Sequence, residues 1–94
     1  MNIKDVIENI KKKNFEGALS GIEKILVKNP NFEQNINLKG VILANLNRID
    51  EARQCWLEAL KINNLYFDSI YNLGDSYLNK KEYDEALRYF IKAL

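Results

Sequence analysis

Residues 70–94 read Ile-Tyr-Asn-Leu-Gly-Asp-Ser-Tyr-Leu-Asn-Lys-Lys-Glu-Tyr-Asp-Glu-Ala-Leu-Arg-Tyr-Phe-Ile-Lys-Ala-Leu. Ile70, Leu73, Tyr77 and Leu78 recur at i, i+3, i+7 and i+8, an apolar stripe at helical spacing. Lys80-Lys81 follow, and cations suit the carbonyl end of a helix. Asp84-Glu85 come next, where carboxylates suit the amide end of a second helix. Tyr83, Ala86, Leu87, Phe90 and Leu94 continue the apolar pattern. The stretch predicts two helices joined by a short turn.

Sliding the chain against itself by 34 positions repeats that pattern upstream. Gly74 falls on Gly40, Asn79 on Asn45, Asp84-Glu85-Ala86 on Asp50-Glu51-Ala52, Phe90 on Trp56 and Ala93-Leu94 on Ala59-Leu60. A further step puts Ala52 on Ala18, Ile49 on Phe15, Trp56 on Ile22 and Leu60 on Leu26. No insertion is needed, and large residues meet large while small meet small. Ile3, Val6, Ile7 and Ile10 mark the first helix of the earliest unit, and Phe15, Ala18, Leu19, Ile22, Ile25 and Leu26 its second. Asn29-Pro30-Asn31 and Asn63-Asn64 punctuate the units, and Asn47 is expected to cap the second helix of the middle one. Connections of about 2–6 residues make consecutive helices antiparallel neighbours.

The small residues carry a packing prediction. Gly40 and Ala52 lie on facing helices of one pair, and Gly74 and Ala86 on those of the next. A glycine inside a helix costs about 1 kcal/mol relative to alanine, so its return at one phase implies that two backbones approach closely there. Trp56 and Phe90 then fill the wedge beside each contact, and Ala59 and Ala93 leave room for a following helix.

Composition narrows the chemistry. Hydrophobic residues are 47 % of the chain and charged residues 29 %, a folded globular balance rather than a disordered one. With no histidine and one cysteine, Cys/His zinc sites, histidine acid–base catalysts and Ser–His or Cys–His pairs are all excluded. No Gly-rich phosphate loop is present, so no catalytic residue, metal ligand or cofactor is expected and the protein is read as a non-enzyme. Repetition of Asp50-Glu51 and Asp84-Glu85 at the same helix start reads as charge–dipole pairing, not acid–base chemistry. Cys55 has no thiolate-stabilising neighbour and reads as structural. A net charge of +1 gives no field for nucleic acid or anionic lipid, and Lys11-Lys12-Lys13 lack interleaved aromatics. Asp5 and Glu8 stand where a signal peptide needs apolar residues, so a cytoplasmic location is expected, with no membrane or nucleic-acid partner.

Leu73, Gly74, Tyr77, Ala86, Phe90 and Ala93, in phase with Gly40, Leu43, Ala52, Trp56 and Ala59 and with Ala18 and Pro30, resemble the tetratricopeptide repeat (TPR), a 34-residue helix–turn–helix. Ile70 stands where Trp is usual, Lys39 replaces a Leu, Asn64 replaces the closing Pro, and Val6 stands where Gly is expected. The resemblance implies an all-α fold: an α-solenoid of three stacked antiparallel helix pairs in a right-handed superhelix. Residues 1–94 would form one domain of units 1–32, 33–66 and 67–94.

It also implies a protein-interaction scaffold that holds a peptide or helix in a concave groove lined by the first helix of each unit. By phase, Gln34, Asn37, Val41, Ala44 and Asn45 line it in the middle unit, and Asp68, Tyr71, Asp75, Leu78 and Asn79 in the last. Two carboxylates flanking the Tyr71 phenol suit a basic ligand. Some family members clamp a C-terminal carboxylate with Lys, Arg and Asn. The matching positions here hold Ile3, Ile7, Leu38, Asp68 and Asn72, which implies no binding of an acidic chaperone tail. The final helix reaches Leu94 with no polar cover, so Tyr89, Phe90, Ile91 and Leu94 are expected to leave an apolar edge. That edge would serve a longer array or pair two copies as a homodimer. The competing functions are a self-assembly unit that pairs through this edge and, after it, RNA reading by a related helical repeat, against which Asp68 and Asp75 in the groove count.

Overall fold

The structure, a computed structural model, describes residues 2–94. Six helices follow one another: α1 (Ile3–Lys11), α2 (Phe15–Lys28), α3 (Glu33–Asn45), α4 (Ile49–Ile62), α5 (Phe67–Asn79) and α6 (Tyr83–Ala93), with no strand among the described residues. Phe15, Ile49 and Tyr83 open α2, α4 and α6, each 34 residues after the last. Helices α1 and α2, α3 and α4, and α5 and α6 pack as pairs; α2 then meets α3, and α4 meets α5. The result is an all-α solenoid measuring 39 × 25 × 19 Å.

Each helix pair turns through the same device. Lys13, Asn47 and Lys81 take left-handed backbone angles, with φ of 61°, 61° and 63°. The amide after each one reaches back to close the preceding helix: Asn14 to the Asn9 carbonyl at 2.8 Å, Arg48 to Leu43 at 2.9 Å and Glu82 to Tyr77 at 2.9 Å. These are Schellman closures, which satisfy carbonyls that the helix end leaves free. Asn47 is therefore not the cap of α4, contrary to the sequence expectation. It ends the α3 turn, because asparagine tolerates a left-handed conformation, and Arg48 occupies the cap position without a side-chain cap bond. Arg48 pairs instead with Glu51 in the first turn.

Lysine gains nothing from that geometry. A residue with a Cβ loses about 1–2 kcal/mol in the left-handed region, whereas glycine's extra unfolded freedom costs about 0.5–1 kcal/mol. Lys81→Gly should accordingly raise the unfolding free energy by about 0.5–1 kcal/mol, and branched Lys81→Val should lower it by at least about 1 kcal/mol. Urea titrations of the two variants check this; a loss of stability in Lys81→Gly would contradict it.

The core joins all three pairs. Val6, Ala18, Ile22, Ile42, Ala52, Ala59 and Leu73 are each 0 % exposed. A Cβ built on Gly40 would lie 2.8 Å from Cδ1 and 2.9 Å from Cε2 of Trp56, and one on Gly74 would lie 2.8 Å from Cε1 of Phe90. The glycines thus sit at the close helix contacts, with Ala52 and Ala86 buried in the same pairs. Asp50-Glu51 and Asp84-Glu85 occupy the first turns of α4 and α6. Cys55 is buried beside Trp56, and burial pushes its thiol above the ordinary range, as expected of a structural thiol.

Candidate functional site

Polar bonds between α3, α4 and α5 fix how the second and third helix pairs meet. Trp56 Nε1 on α4 donates to the Asn37 carbonyl of α3 at 3.2 Å. The Asn37 side-chain oxygen accepts from Ser69 Oγ at 2.7 Å and from Asn72 Nδ2 at 3.0 Å, both on α5. Asn37 is buried and its oxygen already has two donors, so it holds the seam and is not free to line a groove as the sequence suggested. Its phase was right, but the neighbouring helix reaches it first.

A second connection ties α4 to the last pair. Arg53 Nε donates to Ser76 Oγ at 3.0 Å, and its Nη2 donates to the Ser76 carbonyl at 3.1 Å. The same Nη2 lies 3.7 Å from the Glu82 carboxylate. Its guanidinium carbon stands 3.9 Å from the centre of the Tyr77 ring, a cation–π contact. Tyr77 in turn stacks on Tyr89 of α6, with ring centres 5.7 Å apart and planes within 6°. Burial pushes the Tyr89 phenol above its ordinary range.

Between α3 and α5 lies a cleft of about 220 Å³. It brings together Val41, Ala44, Asn45, Asp75 and Asn79 of the expected groove. Asn72, Ser76 and Lys80 also line it, as does Ile49 at the start of α4. Asn45 Nδ2 donates to the Val41 carbonyl at 2.9 Å, which holds the amide and leaves its oxygen available. Among the described residues no ion pair involves Asp75, so its half-buried carboxylate faces the cleft without a cation within 4.0 Å. Polar groups converging on an apolar floor of Val41, Ala44 and Ile49 can accept hydrogen bonds and seat one apolar side chain.

The remaining expected residues lie elsewhere. Gln34, Asp68 and Leu78 are exposed outside the cleft. Tyr71 packs between Phe67, with ring centres 6.3 Å apart, and Phe90, with ring centres 5.7 Å apart, on the end face made by α5 and α6. The three-residue set of Asp68, Tyr71 and Asp75 is therefore split: one helix carries all three, but only Asp75 reaches the cleft. On α6, Tyr89 and Phe90 are half-buried, while Ile91 and Leu94 are exposed.

Two tetratricopeptide repeat family profiles match the chain, over residues 34–64 and 67–94. The peroxisomal targeting signal receptor of Saccharomyces cerevisiae is 35 % identical over 83 residues, which is 88 % of this chain and 14 % of that protein. The receptor of the same name from Candida glabrata is 35 % identical over 80 residues, 85 % of this chain and again 14 % of the longer protein. The chain thus spans a small part of the curated relatives it matches. Among solved structures, the crystal structure of MamA superposes with a TM-score of 0.87 at 19 % identity, covering 94 % of this chain and 52 % of that one. A MamA AMB-1 structure superposes with a TM-score of 0.80 at 26 % identity, covering 94 % and 48 %. The matched profiles, the helix starts 34 residues apart and the glycine–aromatic contacts at Gly40 and Gly74 agree, and the chain belongs to the tetratricopeptide repeat family.

Proposed function

We propose that the chain is a protein-interaction module whose concave side, between α3 and α5, holds an extended peptide or a helix of a partner protein. The carrying observation is the cleft itself: Val41, Ala44 and Ile49 offer an apolar floor, and Asn45, Asp75 and Asn79 rim it with acceptors and donors. An extended peptide has unpaired backbone groups for those amides and can place one apolar anchor on the floor. Asp75 without a cation favours a ligand carrying Lys or Arg beside that anchor. The curated relatives are named as receptors, which agrees in kind with a ligand-holding module.

Selection from a random peptide library on the immobilised protein tests this. Binding of the selected peptides, measured by titration calorimetry, should weaken about tenfold or more in Val41→Arg and in Asn79→Arg. Gln54→Arg, exposed on α4 away from the cleft, should leave it unchanged. Asp75→Asn should reduce the preference for Lys or Arg. Equal affinity in the unaltered protein, Val41→Arg and Asn79→Arg would place the ligand elsewhere and end this reading.

A further inference from the structure

The 34-residue period gives the cleft a counterpart one unit upstream. Asn72, Asp75 and Ser76 of α5 fall on Leu38, Val41 and Ile42 of α3, and Val41 of α3 falls on Ile7 of α1. The wall that is polar between α3 and α5 is therefore apolar between α1 and α3. Ile42 is spent on the core, but Ile7 is 43 % exposed and Leu38 and Val41 are half-buried. Across the three first helices the row Ile7, Val41, Asp75 runs apolar, apolar, acidic.

Ile7 does not stand at a stacking position. Lys39 of α3 meets Glu23 of the preceding pair, and Ser76 and Tyr77 of α5 meet Arg53 of theirs. The same positions on α1 hold Asp5, Glu8 and Asn9, all polar. Val41 lines the cleft although a preceding pair is seated against its helix. Ile7, in the same register, likewise faces the concave side and not that seat.

Charge tells the two ends of the row apart. Among the described residues Asp75 has no cation within 4.0 Å, and its upstream counterparts carry no carboxylate. A ligand crossing the row meets an acceptor for a cation at α5 and aliphatic surface at α1. One helix diameter is about 10 Å, which an extended chain covers in about three to four residues.

We propose, on the reading that the cleft holds the ligand, that the bound segment of the partner is extended and runs across the helices. Its Lys or Arg lies beside Asp75, and a second large apolar side chain, about three to four residues away, lies on Ile7, Leu38 and Val41. The face thus selects a basic residue and an apolar one at fixed separation, a pattern that the cleft alone does not require.

The library selection tests this with one added variant. On the unaltered protein it should return peptides that carry Lys or Arg and, at one fixed spacing, a large apolar residue. Ile7→Asp puts a carboxylate at the counterpart of Asp75 and should weaken those peptides about tenfold in calorimetry. A fresh selection on Ile7→Asp should return a second Lys or Arg in place of the distant apolar residue. That gain requires a folded protein, and helical circular dichroism should be intact because Ile7 lies outside the buried core. Peptides that weaken in Val41→Arg and Asn79→Arg but bind Ile7→Asp unchanged would overturn the proposal and leave the cleft reading standing. So would selected peptides with no apolar residue at a fixed spacing, or an unchanged preference after reselection. Indifference to all three substitutions would end both readings together.

Discussion

Replacing Trp56 with alanine should lower the unfolding free energy by about 3–5 kcal/mol, the cost of emptying a buried aromatic site. A domain of this size is stabilised by only about 5–14 kcal/mol, so the loss is a large share of the whole. The ring is 4 % exposed and fills the wedge between α3 and α4. Its Nε1 satisfies the Asn37 carbonyl, and that residue's side chain in turn anchors Ser69 and Asn72 on α5. Removing the ring therefore weakens the middle pair and the seam to the last pair together. Trp56→Phe separates the two effects: it keeps most of the packing and loses the hydrogen bond, worth about 0.5–1.5 kcal/mol. Denaturant titration followed by far-ultraviolet circular dichroism measures both variants. A loss below about 1 kcal/mol in Trp56→Ala would mean that the ring is not the wedge described.

Gly40→Ala should destabilise the protein by about 1–2 kcal/mol, although alanine is the better helix former by about 1 kcal/mol. The added methyl meets Cδ1 and Cε2 of Trp56 at 2.8 and 2.9 Å, and the ring is too firmly held to move aside. Gly74→Ala makes a similar clash with Phe90 at 2.8 Å, but that ring is only half-buried and can turn outward. There the propensity gain offsets the contact, and the expected change is within about 0.5 kcal/mol of zero. The difference between two glycines at the same repeat position is the result to measure. Equal behaviour of the two, or a gain in Gly40→Ala, would show that close backbone approach does not explain glycine at this phase. Gly40→Ala combined with Trp56→Leu should recover part of the loss, because the smaller side chain yields space to the methyl.

The sequence displayed the helices and their pairing because both depend on periodic burial. Ile70, Leu73 and Tyr77 mark a helix face whatever lies beyond it, and the return of Gly40 at Gly74 marks a contact that only a small residue permits. Misread positions were those decided by a neighbour distant in sequence. Asn37 has the phase of a groove residue, but Ser69 and Asn72 consume its oxygen from the next unit. Tyr71 has the same phase, but Phe90 draws it to the end face. Asn47 looked like a cap because asparagine suits both caps and left-handed turns, and residue type alone does not choose between them.

The Arg53 connection did leave a sequence signal. In the 34-residue alignment Leu19 becomes Arg53 and Ile42 becomes Ser76: two apolar core positions turn polar together, on helices that face each other. Departures from a repeat that occur in complementary pairs locate a seam that has changed its chemistry.

That change divides the array into two mechanical regimes. The joint between the first and second pairs rests on Leu19 and Ile42, both buried, with Lys39 and Glu23 bridging its surface at 3.6 Å. Apolar burial has no preferred direction, so the fit of those side chains alone sets how the two pairs meet. The joint between the second and third pairs is fixed by the Arg53 fork on Ser76, whose bonds tolerate little rotation. The placing of the third pair on the second is thus set by directional bonds, and that of the second on the first by the fit of apolar side chains.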